Sequence, residues 1–100
     1  MKLNNNVINN KVSNIAHLIF KQTSINENLL YMILWRSLYQ SGFYKKSLEI
    51  QEVILKNLLK KVHQYNIMQH QEFLKKGSNF TTSEILKGIS LKIKQLTIIY

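Results

Sequence analysis

One hundred residues with no cysteine, no proline, only three glycines and a formal net charge of +9 describe one small basic domain with room for a single core. The lack of cysteine excludes disulfides, thiol nucleophiles and thiolate metal sites. Fourteen basic residues against five acidic ones point to an anionic partner: nucleic acid, an anionic membrane or an acidic protein.

Arg36 is the sole arginine, and every acidic residue is a glutamate. With Asn, Ile, Lys and Tyr abundant and Ala16 the only alanine, the composition matches an AT-biased bacterial or organellar genome. Lysine then stands where arginine could have offered a bidentate fork.

Residues 1–6 form an Asn-rich, flexible lead-in whose polar start carries no signal-peptide pattern. From Val7 to about Gln22, Ile8, Val12, Ile15, Ala16 and Ile19 recur at the spacings of one helical face. Thr23, Ser24 and Asn26 make a capped turn, and Glu27 suits the positive end of the next helix. That second helix, Glu27 to Gln40, is apolar nearly all round through Leu29, Leu30, Met32, Ile33, Leu34, Trp35 and Leu38. Such a helix is expected at the centre of a bundle. Its apolar run is far short of the roughly 20 residues a bilayer span requires, so the chain is not expected to cross a membrane.

Gly42 ends the second helix. The third is expected to begin near Tyr44 and to run as far as Lys76. Leu48, Leu55, Leu58, Leu59 and Val62 lie on one side, and Lys45, Lys46, Lys56, Lys60 and Lys61 on the others. Its pattern weakens after His63, where Gln64, Asn66, Gln69, His70 and Gln71 suggest a break or a projecting end. Gly77-Ser78-Asn79 is a loop, and Thr81 and Glu84 have capping-box spacing. Ile85, Ile89, Ile93 and Leu96 then mark a fourth helix, with Lys87, Lys92 and Lys94 off its stripe. Thr97 to Tyr100 either finish that helix or add a short C-terminal strand. The fold class is therefore all-α, one domain of about four helices in a small orthogonal or antiparallel bundle.

No constellation for catalysis is present, and neither a cofactor nor a small-molecule substrate is implied. His63 and His70 share a helix with Glu72 close by, but their spacing is not the i, i+4 of a two-ligand metal pair and no third ligand is evident. Glu49 and Glu52 sit beside lysines as ion-pair partners on one helix, and no glycine-rich phosphate loop occurs. Trp35, Tyr39, Phe43 and Tyr44 cluster at the helix turn. They either pack the corner of the core, or place Phe43 and Tyr44 at the rim beside Lys45 and Lys46. A rim of aromatic and cationic groups suits stacking and phosphate contact on RNA. Candidate RNA-binding residues are Tyr44, Lys45, Lys46, Lys56, Lys60, Lys61, Lys92 and Lys94.

Two segments carry a family likeness. Leu29-Leu30 through Leu38-Tyr39, then Gly42, Lys45-Lys46-Ser47 and the following helix, together with Glu84 to Ile99, resemble the small-subunit ribosomal protein seven family, with Ile93, Lys94 and Leu96 among the matches. The likeness spans residues 25–100. Phe43-Tyr44 stand as an insertion, Gln95 replaces a proline, and the β-arm that follows in that family is missing, so this would be a shortened or split member. The resemblance implies binding of rRNA beside neighbouring ribosomal proteins in a mitochondrial or other organellar small subunit, with the lysines on phosphates. Asn26-Glu27-Asn28-Leu29 and Phe80-Thr81-x-x-Glu84 also resemble helix starts of the bacteriocin immunity proteins, which implies a cytosolic antiparallel bundle in a bacterium. A structural subunit of another large organellar complex is the third expectation.

Overall fold

The computed structural model describes residues 5–23, 25–76 and 82–100, with residues 65–76, 82, 83 and 85 described by their backbone alone. Four helices form: α1 Asn5–Thr23, α2 Glu27–Ser41, α3 Leu48–Lys76 and α4 Thr82–Ile99, with a single 3₁₀ turn at Phe43–Lys45. The domain is all-α, and no strand occurs among the described residues. Thr97 to Ile99 complete α4 instead of adding a strand.

Each boundary has a local cause. The helical pattern of α1 takes in Asn5 and Asn6, ahead of the expected start at Val7. Asn26 caps α2 by accepting the Leu29 N–H at 3.1 Å, which satisfies one of the orphan donors of the first turn. Gly42 stops α2 in the left-handed region, at φ 89° and ψ 11°, with its N–H turned back on the Leu38 and Tyr39 carbonyls. The expected start of α3 near Tyr44 shifts to Leu48, because the Gly42 turn leads first into the 3₁₀ turn. Ser47 then caps α3 by accepting the Ile50 N–H at 3.3 Å. Beyond His63 the helix continues unbroken through the polar run to Lys76. Gln, Glu, Lys, Met and Leu are good helix formers, and no glycine intervenes before Gly77. The Gly77-Ser78-Asn79 loop, the Thr81 cap and residues 1–4 of the lead-in lie outside the described residues.

The helices form two antiparallel hairpins, α1–α2 and α3–α4, laid side by side. Lys11 pairs with Glu52 at 3.5 Å and Gln22 donates to the Val62 carbonyl at 3.4 Å, so α1 and α3 run parallel. The Ser37 and Ser90 hydroxyls lie 3.4 Å apart, and those of Ser41 and Thr97 lie 3.2 Å apart, so α2 and α4 run parallel as well. The order round the bundle is α1, α2, α4, α3.

Inside lie Ile8, Val12, Ile15, Ala16 and Ile19 of α1, Leu30, Leu34 and Leu38 of α2, and Phe43. Ile54, Leu55, Leu58 and Val62 of α3 and Ile89, Ile93 and Leu96 of α4 complete the core. The expected central position of α2 is corrected here. Only its Leu30–Leu34–Leu38 stripe is buried, while Leu29, Met32, Trp35 and Tyr39 are exposed. In a ring of four helices every helix is a corner, and none can be covered on all sides. Phe43, one of the two aromatics that the rim reading placed beside the lysines, is wholly buried. Gly42 turns the chain inward at that point.

Candidate nucleic-acid interface

The helices that carry the cationic residues set where each one stands. In α3, burial of Leu58 and Val62 leaves Asn57, Lys60, Lys61 and Gln64 on the flank towards α4 and solvent. In α4, burial of Ile89, Ile93 and Leu96 brings Lys92 to the side that packs on α3. These residues meet: Asn57, Lys60, Lys61, His63, Gln64 and Lys92 line one groove between α3 and α4. Three lysines and two amides from two helices thus line one groove. Every one of these groups can donate to an anionic oxygen.

The described acidic side chains do not line this groove. Glu52 is held by Lys11, and Glu27 accepts from His17 Nδ1 at 2.9 Å. Glu49 is in the first turn of α3 and Glu84 in the first turn of α4, where a carboxylate suits the helix dipole. No carboxylate lines the α3/α4 groove among the described residues.

The remaining candidates are dispersed. Lys56 lines a separate groove between α1 and α3 with Lys11, Asn14, Ile15, Leu55 and Leu59. Lys45 and Lys46 stand at the α2–α3 corner. From Leu48 to Lys60 the helix rises about 18 Å, so the corner and the groove are at different levels of the bundle. Lys94 is exposed and lies about 200° round α4 from Lys92, on the flank towards α2. Lys60, Lys61 and Lys92 are the candidates that the fold gathers. Asn57, His63 and Gln64 join them without having been singled out for RNA. The seven-residue interval from Asn57 to Gln64, two helical turns on one face, was the signal available.

Tyr44 is set differently from the lysines. Its ring packs against the core and meets Phe43 edge-on, with centroids 4.9 Å apart. Its hydroxyl is buried and makes no hydrogen bond to a described residue. Burial, with a smaller contribution from Tyr31, pushes its pKa up to about 12. A buried hydroxyl without a partner costs about 1–3 kcal/mol, so Tyr44→Phe is expected to stabilise the fold by about 1 kcal/mol in urea denaturation. The pH dependence follows from the sign of the shift. The unfolded chain releases this proton near pH 10, the ordinary tyrosine value, while the folded chain holds it to about 12. Stability is therefore lost as pH rises through that window. The advantage of Tyr44→Phe over the parent is expected to widen from pH 10 to about 12. A constant difference would contradict the burial of the hydroxyl.

His63 lies on the groove, whereas the side chain of His70 lies outside the described residues. No helix among the described residues is long and apolar enough to cross a membrane. Set beside known proteins, the chain matches no family model, and no curated protein or solved structure matches it.

Proposed function

We propose that this chain is a non-enzymatic, structural RNA-binding protein whose α3/α4 groove receives backbone phosphates. One observation carries the reading. Lys60, Lys61 and Lys92 converge on a groove that no described carboxylate lines, while Glu27 and Glu52 are taken up by partners on α1. Lysine acts as a point charge without the planar fork of arginine. Such contacts position a nucleic acid and carry no sequence information, so specificity comes from the shape of the RNA. The small subunit of an organellar ribosome is the setting that the family resemblance supports. Part of that resemblance has a structural account of its own, since Gly42 is a helix stop and Ile93 and Leu96 are core.

A second reading, a cytosolic interaction protein of the bacteriocin-immunity type, is favoured by the antiparallel course of consecutive helices. Sedimentation of the native protein from its source, at low and high salt, separates the two. Migration with the small ribosomal subunit, released at high salt, is expected. A free monomer without bound RNA would remove the RNA reading and raise the second.

A further inference from the structure

Helix α2 has two apolar stripes, and the fold uses one of them. Leu30, Leu34 and Leu38 enter the core. Leu29, Met32, Trp35 and Tyr39 face away from it, at 49, 56, 46 and 64% exposure. Trp35 and Tyr39 are already stacked, with centroids 5.5 Å apart and ring planes 17° from parallel. Isolated apolar side chains on a surface are ordinary, but a continuous stripe along one helix marks an interaction face. Tryptophan, tyrosine and arginine are also the residues enriched where binding energy concentrates, and Arg36 lies within this stripe.

The flanks indicate what covers it. On the α1 side, the antiparallel register set by His17 and Glu27 brings Asn10 and Asn6, both exposed, level with Trp35 and Tyr39. On the α4 side, the Ser37–Ser90 and Ser41–Thr97 contacts bring Lys94 level with Tyr39, and Lys87 lies on the same flank of α4 two turns earlier. The sequence has no acidic residue between Glu27 and Glu49, and none after Glu84. The stripe is thus bordered by neutral amides on one side and cations on the other. A second copy of the chain would set Arg36 and a +9 charge against their like.

We infer that the exposed stripe of α2 docks an amphipathic helix of a partner protein, apolar along one face and carrying glutamates or aspartates on the edge that meets Arg36, Lys87 and Lys94. With that helix in place α2 is covered on both sides, which accounts for its near-uniform apolar sequence. This inference stands apart from the lysine groove and does not depend on RNA.

Trp35 is the only tryptophan, so its emission reports the contact directly. The probe is a synthetic 18-residue helical peptide with a leucine stripe and glutamate flanks, titrated into the full chain. A control peptide carries lysine flanks. The glutamate peptide is expected to shift Trp35 emission to the blue with saturation, and Met32→Ser and Tyr39→Ser are each expected to weaken it about thirtyfold. Both sites are exposed, so the fold is expected to persist, which circular dichroism checks. Arg36→Glu is expected to abolish the preference for glutamate flanks, and joint substitution of Lys45, Lys46 and Lys56 by Gln to weaken binding far less, since it removes distant charge only. No blue shift, or equal binding of the lysine peptide, would overturn the inference. A shift produced only by phosphatidylglycerol vesicles would assign the face to lipid, and self-association abolished by Met32→Ser would assign it to a second copy; either overturns it.

Discussion

Phe43→Ala is expected to cost about 3–5 kcal/mol of folding free energy, the largest loss from any single substitution at the α2–α3 corner. The ring is wholly buried and stands where the chain leaves α2 and turns towards α3. Truncation removes its transfer energy and leaves a cavity that two helix ends and the Gly42 turn hold open. For a chain of this length total stability is about 5–15 kcal/mol, so the substitution removes between about a fifth and all of it. The midpoint of thermal unfolding is expected to fall by about 12–40 °C. Phe43→Leu, which refills most of the volume, is expected to recover most of the loss. If Phe43→Ala cost less than about 1 kcal/mol, the ring would belong at the rim beside Lys45 and Lys46, and the packing of the corner would be wrong.

The second large effect concerns binding. Replacing Lys60, Lys61 and Lys92 together by Gln is expected to lower affinity for a structured RNA about a hundredfold at 0.1 M salt. Each phosphate contact releases condensed counterions, which contributes a factor of about 5–8 at that concentration relative to 1 M. Three contacts multiply to roughly a hundredfold or more. Glutamine keeps most of the length and the hydrogen-bonding capacity, so the loss isolates charge. The matched control is Lys45→Gln with Lys46→Gln and Lys56→Gln, which removes the same charge from sites outside the groove. Long-range attraction falls equally in both variants, and only the groove variant loses the contacts. A smaller loss is therefore expected from the control, and circular dichroism should show both variants folded.

Much of the fold could be read in the sequence because its causes are local. The α1 stripe from Ile8 to Ile19, the stop at Gly42 and the α4 stripe of Ile89, Ile93 and Leu96 each follow from spacing or from one residue's backbone freedom. Three features could not be read from apolar spacing alone. Whether Phe43 lies inside or at the rim is decided by the direction the chain takes after a left-handed glycine, and its lysine neighbours pointed the other way. The apolar circumference of α2 is the same pattern for a helix at the centre of a bundle as for one that faces a core on one side and a partner on the other. Gln51 is buried, with its amide donating to the Lys46 carbonyl at 3.0 Å, a use that hydropathy alone does not disclose.

The candidate site was legible in residue type but not in grouping. Every lysine of the groove was visible as a cation off the apolar stripe of its helix. That Lys92 joins Lys60 and Lys61 while Lys94 turns away requires the antiparallel docking of α4 on α3, together with the 200° step between alternate residues on a helix. Lys45 and Lys46, which adjoin the helix of Lys60 in sequence, are separated from it by the rise of α3.

The measurement closest to the central claim is the salt dependence of RNA binding, taken for the parent and for the triple Gln variant at Lys60, Lys61 and Lys92. Plotted as the logarithm of affinity against the logarithm of salt concentration, the parent is expected to fall more steeply, by about 2–3 in slope, as three released phosphate contacts require. Equal slopes would mean that RNA is held elsewhere on the chain, and would contradict the assignment of the α3/α4 groove as the phosphate-binding site.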